Sequence, residues 1–183
     1  MSSLQGQLLI ASPDLEDPNF HQTVLLMVEH TPESALGLIL NRPLDVTVQD
    51  AWDQASTAPC LSDGPLHQGG PCESPLMVLH SFEEAAQVKV AEGIYFSTEQ
   101  ANVEWLVSQN LKPCKFFVGC AGWGPGQLES ELDEESWLAI PAEAADVFTA
   151  VPNHWQQLIR RIQGSLVFPG MRPDHLPDDP ASN

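Results

Sequence analysis

The sequence predicts a domain that mixes short strands with helices, and three observations carry that prediction. Short apolar runs bounded by turn formers, such as 24–28 and 116–118, read as buried strands. Trp155, Leu158, Ile159 and Ile162 recur at i, i+3, i+4 and i+7, which is the apolar stripe of a helix. The length of 183 residues fits one domain, or a main domain with a small appendage. Such a chain buries roughly two-thirds of its unfolded surface and needs no metal or disulfide to fold.

Residues 4–11 read as a first strand ended by Ser12-Pro13, and 14–19, with Asp17-Pro18, as a loop of turn formers. Residues 23–29 are apolar on both faces, which predicts a central strand. Thr31-Pro32-Glu33-Ser34 turns the chain and 35–40 returns as the hairpin partner, closed by Asn41-Arg42-Pro43. Thr47, with Asp50 three residues later, starts a helix through residue 55. After a loop over 56–65, residues 66–70 read as an edge strand, 75–81 as another strand and 88–96 as one broken around Gly93. Ser97-x-x-Gln100 has the spacing of a capping box for a helix to about Gln109, with Ala101 and Trp105 on one face.

Residues 113–141 organise the chain. The strand at 116–118 runs into Gly119, Gly122, Gly124 and Gly126, a loop whose glycines suit positive φ or close backbone approach. Pro125 suits the first turn of a following helix, with Leu128 and Leu132 on one face, and 137–140 reads as a strand. Residues 143–150 make a short helix. Asn153 caps the last one, Arg160 and Arg161 complement its C-terminus, and Gly164 stops it. The domain thus spans 1–164, and 165–183, rich in Pro and Asp, read as a loosely held or disordered tail.

Composition excludes several functions. Seven basic against 25 acidic side chains give a net charge of −18, which repels phosphate backbones and anionic lipid. No early stretch joins a basic flank to an apolar core, and the apolar run at 24–28 is too short to span a bilayer. Cytoplasmic residence follows as the default, with Cys60, Cys72, Cys114 and Cys120 as reduced thiols, at least three of them small buried hydrophobes. No Cys-x-x-Cys occurs. Cys114 and Cys120 on one extended segment would lie about 20 Å apart, too far to share a metal.

The stretch Gly-Trp-Gly-Pro-Gly-Gln-Leu-Glu (122–129), followed by Ser-Trp-Leu (136–138), closely resembles the signature of the bacterial YqgE/AlgH family. Further blocks support the resemblance over residues 5–163. They include 6–11, Asp17-Pro18-x-Phe20, 28–30, 37–44, Gly69-Gly70-Pro71, Leu79-His80-Ser81 and 93–97. The resemblance implies a compact α+β fold with a strongly bent, partly barrel-like mixed sheet and helices packed outside. Cys72 and Cys120 depart from the pattern, where Val and an aromatic are expected. The family name carries a link to transcriptional control and implies no defined reaction.

The glycine loop follows a strand and opens a helix, as nucleotide sites do. It has neither Gly-x-Gly-x-x-Gly nor Gly-Lys-Ser/Thr, and the acidic run 129–135 opposes a phosphate, so its expected role is structural. That run lacks the rhythm of a calcium loop and reads as a solvated helix face. No nucleophile elbow, paired catalytic carboxylates or His-Glu-x-x-His appears, and no cofactor or metal is expected. The binding candidates are Glu29, His30, Asn41, Arg42 and His80, which end or flank apolar strands, with Trp123 in the loop. Hairpin pairing would hold 29–30 and 41–42 at opposite ends. Arg42 is expected to pair with a carboxylate or cap carbonyls. These features favour a non-catalytic binding or regulatory protein acting through a protein partner or small ligand, without direct contact to nucleic acid or membrane. The alternative is a small-molecule enzyme with a scattered His, Cys, Glu and Arg site.

Overall fold

A computed structural model of the chain describes residues 3–167. Two bent sheets, rather than one, carry the fold, and neither closes into a barrel. The first is antiparallel, in the order β10 (Ala121–Trp123), β3 (Ala35–Ile39), β2 (Val24–His30), β1 (Gln7–Ala11) and β11 (Trp137–Pro141). The second runs β4 (Pro43–Thr47), β5 (Pro65–Gln68), β9 (Cys114–Val118), β6 (Met77–His80), β8 (Ile94–Ser97) and β7 (Val88–Ala91). Its one parallel pair is β5 with β9.

The all-apolar stretch of β2 follows from its place between β1 and β3, where both faces are covered. Val24, Leu26 and Val28 face the core between the sheets, with Leu8, Ile10, Leu38, Leu79, Phe96 and Phe117. Leu25 and Met27 point the other way, onto Leu128 of α3 (Gln127–Asp133). Helices α1 (Val48–Ala55) and α2 (Gln100–Gln109) cover the outer face of the second sheet through Trp52, Val103 and Leu106, against Leu66, Val78 and Phe116. Leu158 and Ile159 of α5 (His154–Val167), with Val147 of α4 (Ala144–Phe148), join the core between the sheets. Trp155 Nε1 donates to Ala11 O at 2.8 Å, which fixes the start of α5 against β1.

Several local expectations change. Pro43–Thr47 is a strand, so β5 is flanked on both sides and is not an edge. Thr47 and Asp50 form the capping box, but Ser97 does not cap α2. Ser97 is buried in β8, with its hydroxyl turned inward to Ala85 O. Residues 121–123 of the glycine loop are strand, and Gly122 and Gly124 have ordinary φ and open space around them. The left-handed positions are Gly119 (φ +74°) and Gly126 (φ +72°), the latter capping α3 so that Pro125 precedes the helix. Helix α5 runs through Gly164 to Val167, because one glycine costs only about 1 kcal/mol in a helix that packing already holds. The expected tail beyond Val167 lies outside the described residues. Among the described residues, no helix is long and apolar enough to cross a membrane.

Candidate functional site

The glycine-loop signature builds a clamp. Trp123 and Trp137 both donate their indole N–H to Glu131 Oε2 at 2.9 Å, and Gln127 Nε2 donates to Oε1 at 3.1 Å. Phe20 stacks on Trp123 at 6.2 Å and meets Trp137 edge-on at 5.5 Å. The short loop and α3 thus set the Glu131 carboxylate against Trp123 of β10 and Trp137 of β11. His30 holds the same helix by a separate bond: its Nδ1 accepts from Leu4 N at 3.0 Å, so Nε2 carries the proton and donates to Glu129 Oε1 at 2.9 Å. Glu129 and Glu131 therefore serve the interior, and only Asp133, Glu134 and Glu135 form the fully exposed face expected for the run.

The remaining sequence candidates scatter. Glu29 is exposed beside a bulge in β2. Arg42 caps carbonyls, donating to Asn19 O at 2.6 Å and Pro18 O at 3.3 Å. His80 is fully buried; its Nδ1 accepts from Phe82 N and its Nε2 meets Ser97 Oγ at 3.1 Å, which itself donates to Ala85 O. Asn41 bridges Val24 N and Gln22 O, each at 2.9 Å, and it alone of the six lines the cleft described next.

That cleft encloses about 560 Å³ between Asn41, β5, β9 and the segment 149–156 that leads into α5. Strand alternation builds its floor. On β9, Phe116 turns out toward α1 and α2, so Lys115 and Phe117 share the inward face. On β5, Leu66 turns outward and His67 inward, its ring 5.6 Å from that of Phe117. His154 enters from the first residue of α5. Not one lining residue is acidic, in a chain with 25 acidic side chains.

The three nitrogen groups are poorly satisfied. His67 is 8% exposed, and among the described residues its Nδ1 has no well-aligned hydrogen-bond partner, although the backbone of Phe116 and Pro65 lies near enough to the ring to favour its protonated form slightly. Burial, aided by the charge of Lys115, pushes its imidazole down to about 4. His154 is also buried and lowered, by burial first and then by Lys115. Burial alone brings the Lys115 ammonium down to about 8. Its Nζ donates to Val147 O at 3.3 Å, and it forms no ion pair with a described carboxylate. Near neutral pH the cleft thus presents a largely protonated amine between two neutral imidazoles. Such a set can hold an anion, and in its unprotonated fraction the amine can attack a carbonyl. Among the described residues, no group of three His, Cys, Asp or Glu is placed to hold a metal ion.

Sequence reasoning missed His67, Lys115 and His154. The available signal was a polar residue at an inward position of an apolar strand, as in Cys-Lys-Phe-Phe-Val. Reading it required knowing which face was inward.

A family model described as AlgH-like matches residues 8–167. The UPF0301 protein SCO2948 of Streptomyces coelicolor is 35% identical, covering 100% of this chain and 97% of that protein. The UPF0301 protein CT0663 of Chlorobaculum tepidum is also 35% identical, covering 92% of each. The solution structure of the AlgH protein from Pseudomonas aeruginosa superposes with a TM-score of 0.75 at 30% identity, covering 93% of this chain and 96% of that one. The crystal structure of DIP2367 from Corynebacterium diphtheriae gives 0.72 at 27% identity, covering 88% and 87%. With the family model spanning most of its length and relatives alike from end to end, the chain belongs to the AlgH-like family.

Proposed function

We propose that the protein is a non-catalytic cytoplasmic binding protein whose cleft takes a small organic anion. The observation that carries this is a cleft that, among the described residues, has no acidic lining and holds an ammonium without a carboxylate partner and a buried imidazole nitrogen without a well-aligned hydrogen-bond partner. An incoming carboxylate supplies what Lys115 lacks, and a donor on the same ligand satisfies His67 Nδ1. The regulatory reading suggested by the AlgH name then works indirectly, with the ligand tuning contact to a protein partner. Direct DNA binding fits poorly. Arg42 is turned onto carbonyls, Arg161 pairs with Asp146 at 3.0 Å and Lys89 with Glu92 at 3.0 Å, all within a field of −18.

The test is isothermal titration of the full chain with succinate, citrate, pyruvate and inorganic phosphate, repeated on Lys115→Met and His67→Phe. At least one probe should bind saturably to the wild type, and Lys115→Met should lose that binding. Heats that are absent for every probe, or unchanged by Lys115→Met, would overturn the reading.

A second reading rests on the position of Lys115. An amine brought near 8 beside neutral imidazoles suits attack on an aldehyde or ketone, with loss of water to form an imine. Borohydride trapping with pyruvate tests it: an adduct on Lys115 supports carbonyl chemistry, and its absence leaves reversible binding.

A further inference from the structure

A second site lies where the chain passes between the sheets. Cys72 and Cys120 stand directly opposite one another in an isolated antiparallel bridge. Each donates its N–H to the other's carbonyl, Cys72 to Cys120 at 2.9 Å and Cys120 to Cys72 at 3.0 Å. In such a hydrogen-bonded pair the Cα atoms lie about 5.5 Å apart with both side chains on the same face. A disulfide requires a Cα separation of roughly 4.4–6.8 Å and a Cβ separation of about 3.5–4.5 Å, so the Cα atoms already meet the requirement while the Cβ atoms of a hydrogen-bonded pair, toward 5.5 Å apart, need a small local approach of the two segments. The two thiols are free, Cys72 exposed and Cys120 half-buried. Cys72 also lines an open recess beside Leu44, Gln68 and Val118, through which a small oxidant can reach its sulfur.

The geometry points to Cys72 and Cys120 as a reversible dithiol site that reacts with a hydroperoxide. The Cys72 thiolate attacks the peroxide O–O bond, forming Cys72 sulfenic acid and releasing water or an alcohol once the leaving oxygen takes a proton. The Cys120 thiolate then attacks the sulfenic sulfur, the S–O bond breaks, and water leaves as the S–S bond forms. Overall, two thiols are oxidised, one hydroperoxide is reduced, and no other reactant is needed. The roles follow from surroundings: Cys72 is open to solvent, whereas burial and the neighbouring Cys72 push the Cys120 thiol up. The other cysteines lie elsewhere. Cys60 is buried with its Sγ donating to Ser62 O at 3.5 Å, and burial pushes Cys114 up to about 12.

The bond would tie together a seam. Gly69 N donates to Val118 O at 2.9 Å, and Ile39 N donates to Gly69 O at 2.8 Å, so residues 69–72 and 118–120 link the second sheet to the first. Gly119, at φ +74°, has no room for a side chain against Gly70 O. Closing the link there restrains the chain between the two cysteines.

The full-length, reduced protein should be treated with stoichiometric hydrogen peroxide, alkylated and mapped by peptide mass spectrometry. The expected result is a monomer lighter by two hydrogens, a linked peptide pair containing Cys72 and Cys120, and reversal by dithiothreitol. Its melting temperature should rise on oxidation, a rise that Cys72→Ser abolishes. Cys120→Ser should accumulate a dimedone-reactive sulfenic acid at Cys72. Linkage to Cys60 or Cys114, covalent dimers, or sulfinic acid at Cys72 with Cys120 still open to alkylation would each overturn the proposal. Mapping of the wild type decides the matter even if a variant folds poorly.

Discussion

The tryptophan clamp and the cleft treat their polar groups in opposite ways. In the clamp, Glu131 accepts from two indoles and one amide, and Gln127 Oε1 accepts from Gly124 N. In the cleft, among the described residues, His67 Nδ1 has no well-aligned partner and Lys115 reaches one carbonyl. Saturated groups have nothing left to offer a ligand. Unsatisfied buried groups cost stability until something binds, which is the usual mark of a functional site. The lesson is that the most recognisable stretch of this sequence holds the fold together, while the proposed site is assembled from residues that no motif announces.

The comparison is broken most severely at the clamp. Glu131→Ala should lower the unfolding free energy by about 3 kcal/mol in urea, because two part-buried indole donors lose their acceptor. Glu131→Gln keeps one oxygen and should cost about half as much. If Glu131→Ala unfolds like wild type, the clamp is ornament and the contrast fails.

In the cleft the sharpest effect is acid sensitivity. His67 titrates at about 4 when folded and near 6.5 when unfolded, so the unfolded chain takes up the proton first. Its contribution is full above pH 6.5 and is lost as pH falls toward 4, on the order of 3 kcal/mol. Denaturation curves across that window should flatten in His67→Phe by about this amount. An identical pH dependence in both proteins would mean that His67 is not held neutral.

The glycines come next. Gly119→Ala should cost about 2 kcal/mol, since it combines a positive φ with a clash on Gly70 O. Gly122→Ala, with ordinary φ and open space, should stay within about 0.5 kcal/mol of wild type. Thermal melts of the pair test whether the loop needs particular glycines or glycine throughout.

Much of the fold was legible because burial leaves periodic traces. The doubly apolar β2, the Thr47–Asp50 capping box and the Trp155/Leu158/Ile159/Ile162 stripe all appear where periodicity places them. Strand β4 was not legible: Pro-Leu-Asp-Val-Thr is short, largely exposed and begins with proline. Nor was the role of Ser97, because Ser-x-x-Gln carries the same letters whether the hydroxyl caps a helix or meets a buried His80. Asn41 was found because it ends an apolar strand. His67, Lys115 and His154 were not, because their proximity depends on the parallel pairing of β5 with β9 and on where α5 begins.

The most direct test of the account is a paired measurement on Lys115→Met at neutral pH. Methionine keeps the length of the stem and removes a desolvated charge that lacks a described acidic partner. The variant should be about 1 kcal/mol more stable than wild type without ligand, and no longer stabilised by the anion that raises the wild-type melting temperature. A Lys115→Met protein that is less stable than wild type, yet still responds to the same anion, would contradict this expectation.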